Sequence, residues 1–193
     1  MVERFSCRIT DALVNRNYII NEQRAIYEFH TLMFLEKMIT IVSILTFSLI
    51  MNVFLQTLVF GVSFLSLRKR TGGFHANTFL KCYMLSLITY IASIKILHPL
   101  LERATVTVIL TMLFCAGAII FFIGTVNHPN LGLEESELNI SKRLARKIVL
   151  VIMGISAACM MFLETKIYGI SVCIALAFCA FGLILSKLVK QEI

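Results

Sequence analysis

Charge is scarce in this sequence. Only 15% of its 193 residues are Asp, Glu, Lys or Arg, 59% are hydrophobic, and residues 38–67, 104–127 and 167–186 contain no such charge at all. A water-soluble domain is roughly a quarter charged, so this composition excludes one. About 18 apolar residues in a row nominate a membrane span, and each uncharged run is longer than that. Two shorter runs, 82–94 and 148–163, read as further spans once flanking Lys81 and Lys147 snorkel toward the interface.

Other absences narrow the function. Two prolines leave little room for rigid linkers, and no internal repeat, low-complexity tract or second soluble domain is present, so residues 1–193 read as one membrane domain. There is no GxxxxGK[ST] run, so an ATP-driven pump is not indicated. The cysteines at 7, 82, 115, 159, 173 and 179 form no CxxC pair and no disulfide framework. Cys115, Cys159, Cys173 and Cys179 fall inside predicted spans, where a thiol packs between helices almost as an apolar group. Residues 1–37 lack the apolar core and cleavage site of a signal peptide, so the N-terminus is expected to be retained. Apolar Ile9, Leu13, Ile20, Ile26 and Tyr27 among balanced charges suggest one or two amphipathic helices there, lying on the membrane surface.

What charge there is lies in clusters. Residues 1–37 carry five Lys or Arg, 68–81 carry Arg68, Lys69, Arg70 and Lys81, 142–147 carry Lys142, Arg143, Arg146 and Lys147, and the tail carries Lys187 and Lys190. The short loops near 99–103 and 164–166 hold one each, Arg103 and Lys166, while Lys95 lies near the outer end of its span. By the positive-inside rule, two spans between neighbouring clusters put every cluster in the cytoplasm. Residues 38–67 must then cross twice, since a single thirty-residue helix would be about 45 Å long against a hydrocarbon core of about 30 Å. A tight or re-entrant hairpin fits, with Asn52 and Gln56 near its turn. The expected fold is thus an all-α, multi-pass membrane protein of six segments, the first pair (38–67) short or re-entrant. The amphipathic region 1–37 precedes them, a loop and helix start occupy 68–82, and four spans occupy 83–193. The net charge of +7 follows from cationic inner loops and calls for no nucleic acid.

The stretch "RKRTGGFHANTFLKCY", residues 68–83, breaks the apolar pattern. Seven residues separate His75 from Cys82, which on one helix would hold them about 10.5 Å apart along the axis, too far for proton transfer. Gly72 and Gly73 discourage helix, however, and Asn77 or Thr78 can cap one, so a helix is expected to begin between the two residues. A cysteine near a helix start gains thiolate character, Lys81 adds to the same field, and His75 can take the thiol proton and return it to a leaving amine. A metal site is disfavoured, because His75, Cys82, His98 and His128 fall on two sides of the membrane in this topology. His98 precedes Pro99 in an outer loop, where a surface role suffices. No cofactor is called for.

The basic run, "GGFHA", the cysteine seven residues after the histidine and the adjoining aromatic in "KCY" resemble the AgrB family, membrane endopeptidases of bacterial peptide quorum sensing. Chain size, the amphipathic start, the order of spans and the loop "NHPNLGLEE" before a basic segment extend the likeness over essentially the whole chain. It implies a catalytic dyad of His75 and Cys82 facing the cytoplasm of the cell membrane, an AgrD-like precursor peptide as substrate, and a homodimer embedded in lipid. It also implies an acyl-enzyme thioester on Cys82 that the precursor's own thiol resolves into a cyclic thiolactone. Arg68, Lys69 and Arg70 match the family's basic run and serve either the substrate's acidic tail or the topology, and Gly73 and Lys81 complete the expected substrate-binding set. The rival reading is a non-enzymatic peptide exporter or scaffold.

Overall fold

The computed structural model describes residues 2–73, 78–126 and 134–189, and among these the chain is all helix and connection, with no strand. Helix α1 (Val2–Asn15) turns back through a left-handed Asn17 (φ 57°) and a short 3-10 turn into α2 (Arg24–Ile50). Helix α1 packs along the start of α2: Ser6 Oγ donates to the Glu28 carbonyl at 2.7 Å, and Arg24 pairs with Asp11 at 2.8 Å. Nothing in residues 29–50 breaks a helix, so α2 runs straight through Glu36 and Lys37 into the apolar run.

The expected reversal within 38–67 is present. Helix α2 ends at Ile50, Asn52 adopts φ 56°, a conformation that Asn tolerates better than most residues, and α3 (Phe54–Thr71) leads back. Helix α4 (Phe79–Ala92) passes through a π turn at Ser93–Leu97 into α5 (His98–Arg103), so residues 79–103 form one continuous rod. His98 therefore sits in a helix, not in an outer loop, and it is buried, with Nε2 3.2 Å from the Ile167 carbonyl and 3.3 Å from Ser171 Oγ. Pro99 does not stop the helix, because it stands in the first turn of α5, where the hydrogen-bond ladder has already been reset by the π turn.

Helices α6 (Val106–Ile123), α7 (Glu135–Cys159) and α8 (Lys166–Leu188) complete the chain. Helix α8 is the axis of the molecule, with α3, α6 and α7 packed around it and α5 touching its first half. Its small residues, among them Gly169, Ser171, Ala175, Ala180 and Ser186, are buried and let its neighbours approach closely. Cys173 and Cys179 are buried as expected of thiols between helices, whereas Cys115 faces outward from α6. Among the described residues, four segments are long and apolar enough to cross a membrane: Asn21–Ile50, Phe79–Arg103, Val106–Ile123 and Lys166–Leu188. Helix α3 ends in basic residues, and α7 opens with Glu135 and Glu137 and carries Lys142, Arg143, Arg146 and Lys147 in its first half, which shortens their uncharged stretches to 54–67 and 148–159.

The connections gather charge at one end. Thr125 Oγ1 donates to the Arg70 carbonyl at 2.9 Å and the Val126 amide to the Thr71 carbonyl at 2.9 Å, so the strand of chain leaving α6 straps the end of α3. Lys142 of α7 lies along Gly124 of the same strap. The basic residues of α3, α4 and α7 thus share an end, while Lys166 reaches the Glu102 carbonyl at 3.2 Å at the other.

Candidate active site

Two glycines end α3. Gly72 (φ 67°) donates its amide to the Arg68 carbonyl at 3.1 Å, and Gly73 (φ 119°) follows, both in backbone territory that side chains resist. The chain resumes as extended backbone at Thr78 (φ −138°, ψ 148°), which stands at the N-cap of α4 although its hydroxyl makes no capping bond. His75 lies in 74–77, outside the described residues. Helix α3 ends at Thr71 before that segment and α4 begins at Phe79 after it.

Cys82 is on the first full turn of α4, half-buried, with its amide donating to the Thr78 carbonyl at 3.1 Å. A first turn lacks partners for its leading amides and carries the positive end of the helix dipole. Tyr83 holds this turn against α2 by donating to Ser43 Oγ at 3.1 Å, and its ring lies 5.8 Å from that of Phe79. Farther along, Tyr90 Oη and Thr57 Oγ1 share a buried hydrogen bond of 2.9 Å between α4 and α3.

The expected basic set divides by geometry. Arg68 folds inward: its guanidinium fills the space a side chain on Gly73 would need and approaches Gly182 of α8, where an added Cβ would lie 3.0 Å from Nη1. It also lies within electrostatic reach of the Cys82 sulfur. Arg70 is half-buried beneath the strap, and Lys69 and Lys81 are exposed. Arg68 and Gly73 are therefore brought together, and Lys69 and Lys81 face away. A carboxylate that the sequence reading passed over, Glu36 of α2, also lies within electrostatic reach of Cys82 and is half-buried. Its signal was its place one residue before Lys37, at the edge of an otherwise apolar run.

The Cys7 thiol on α1 donates to Glu28 Oε1 at 2.8 Å, and that hydrogen bond pushes its pKa up from the ordinary thiol value.

The sequence profile described as accessory gene regulator B matches residues 6–185. An AgrB-like protein of Clostridium perfringens is 30% identical over 88 residues, 46% of this chain, and the match spans 41% of that protein's length. No solved structure matches.

Proposed function

Because this chain belongs to the accessory gene regulator B family, which takes part in agr quorum-sensing peptide processing, we propose that it is a membrane cysteine endopeptidase acting on an AgrD-like precursor. Six segments, α2, α3, the α4–α5 rod, α6, α7 and α8, cross the cell membrane, and the basic end with its active site faces the cytoplasm. The observation that carries the reading is Cys82 on the first turn of a helix that starts after a double-glycine break, with the Arg68 guanidinium folded inward against Gly73.

The Cys82 thiolate attacks the carbonyl on the N-terminal side of the precursor's tail. A carbon–sulfur bond forms, the carbon–nitrogen bond breaks, and His75 delivers to the departing amine the proton it took from the thiol. The oxyanion is met by leading amides of α4, Phe79 to Lys81, since that of Cys82 is committed to Thr78. The precursor's own thiol gives its proton to His75 and attacks the thioester; the new carbon–sulfur bond closes the thiolactone as the bond to Cys82 breaks, returning the Cys82 thiolate. One thioester replaces another, so no nucleotide is spent. Water at the intermediate would hydrolyse it, and the site's position at the membrane boundary restricts that access. Arg68 and Arg70 hold the acidic tail, and a second copy of the chain completes a homodimer.

Co-expression with a precursor tests the proposal. Cys82→Ala and His75→Ala are each expected to abolish tail release while the protein still reaches the membrane, and mass measurement of wild-type protein should reveal the acyl adduct on Cys82. Unchanged processing by Cys82→Ala would overturn the peptidase reading in favour of a non-enzymatic exporter or scaffold.

A further inference from the structure

The first half of α7 carries cations at a depth where the neighbouring α8 carries none. Ser156 Oγ donates to the Gly169 carbonyl at 3.0 Å, which sets the register of the two helices, and the turn between them makes them antiparallel. Lys147 lies as many residues before Ser156 as Phe178 lies after Gly169, so those two share a level, and by the same register Arg143 is level with Gly182. The first charge on α8 past its uncharged run is Lys187. At the helical rise it stands about 13.5 Å beyond Phe178 and about 7.5 Å beyond Gly182. Arg143, Arg146 and Lys147 are thus level with an apolar stretch of their partner helix, where a cation calls for an anionic or polar companion. Among the described residues, none of the three has a carboxylate within ion-pair distance.

Helix α6 fixes the middle cation of this set. Arg146 Nε donates to the Phe121 carbonyl at 3.1 Å, and its guanidinium lies 5.3 Å from the centre of the Phe121 ring. Arg143 and Lys147 are exposed beside it. On α7, Arg143, Lys147, Leu150 and Gly154 fall within about 60° of one another, so one face runs from cations at the charged end to apolar residues toward the membrane centre. Leu150 and Gly154 are exposed, and a Cβ added at Gly154 would meet no neighbour within 4 Å. Phe122, whose ring abuts that of Phe121, is exposed as well. A phospholipid presents the same order, its phosphate outermost and its chains within. An acidic peptide would match only the cationic half. We propose that this α6–α7 face binds an anionic phospholipid, its phosphate between Arg143, Arg146 and Lys147 and its chains along Leu150 and Phe122. Such binding needs none of the peptidase chemistry.

Native mass spectrometry of the full chain released from detergent counts the lipids it retains. Wild-type protein is expected to hold dioleoyl phosphatidylglycerol in preference to dioleoyl phosphatidylcholine. Arg143→Gln combined with Lys147→Gln leaves the bond between Arg146 and Phe121 in place, and it should weaken phosphatidylglycerol retention about twenty-five-fold, roughly fivefold for each cation near a lipid surface. Lys187→Gln removes an exposed cation at the same end of the molecule but off this face, and should change retention by about twofold or less. Phosphatidylglycerol should also raise the thermal unfolding midpoint of the wild type and not of the double variant. Equal retention of the two lipids by wild-type protein, a loss in Lys187→Gln as large as in the double variant, or a midpoint shift that survives in the double variant each overturns the site. Displacement of phosphatidylglycerol by millimolar inorganic phosphate overturns the lipid in favour of a free-phosphate site, and displacement by tetraglutamate overturns it in favour of an acidic peptide.

Discussion

Gly73 shows how one residue can be constrained twice. The sequence announces the first constraint, a glycine pair that breaks helix before a histidine. The second is visible only in three dimensions, because Arg68, five residues earlier, turns its guanidinium into the space where a Cβ would sit. An alanine at Gly73 must both adopt φ near 119° and displace that cation. Holding a side chain in such a conformation costs about 1–3 kcal/mol. Gly73→Ala is therefore expected to lower precursor cleavage at least about tenfold at normal membrane abundance, one factor of ten for each 1.36 kcal/mol. Gly182→Ala meets only the far end of the same flexible side chain, without a backbone penalty, and its loss should be about threefold or less, under 1 kcal/mol. Equal losses in the two variants, measured as tail release per unit of protein, would contradict this ranking. Arg68 itself shows the limit of reading a basic run as a unit: Lys69 is exposed because successive helical residues point about 100° apart.

At the scale of elements, α4 is where sequence reasoning reached furthest. A start between His75 and Cys82 was legible because two glycines followed by Asn77 and Thr78, either able to cap, are strong local signals, and Thr78 stands at the N-cap position. The entry of α2 was not legible: charges at Glu28, Glu36 and Lys37 mark where apolarity ends, but they do not interrupt a helix. His98 was misplaced for a related reason, since Pro99 reads as a stop unless the π turn before it is known. The two tyrosines of α4 divide its work. Tyr90→Phe removes a buried bond to Thr57 and should cost about 0.6 kcal/mol in thermal denaturation in detergent, the usual worth of such a bond between membrane helices. Tyr83→Phe frees the turn that carries Cys82, so cleavage is expected to fall several-fold while stability changes by about 0.5 kcal/mol or less. A Tyr83→Phe variant that loses stability but keeps its cleavage rate would show the bond to be structural only.

At the scale of the whole molecule, the distribution of cations and the packing agree. The basic residues of α3 and α7, two of the clusters that the positive-inside rule assigns to the cytoplasm, meet at one end, joined by the strap from α6 across α3 and by Lys142 against Gly124. The number of crossings depends on α3, whose 54–67 stretch would span about 21 Å as a helix, less than a hydrocarbon core of about 30 Å. A helix this short crosses only if the bilayer thins around it or its flanks reach outward. At its basic end Arg68 is folded inward, so such reach falls to exposed Lys69. In a chain with its native cysteines replaced, Asn52→Cys, Arg103→Cys and Lys166→Cys are expected to react with a membrane-impermeant maleimide on intact cells. Lys69→Cys and Arg143→Cys should react only after permeabilisation. If Asn52→Cys is shielded while Arg103→Cys and Lys166→Cys react, α2 and α3 form a re-entrant hairpin, and the crossings fall to the four made by the α4–α5 rod, α6, α7 and α8. The site at the end of α3 and the start of α4 keeps its face of the membrane in either case, because a re-entrant hairpin and a double crossing both return the chain to the side it left.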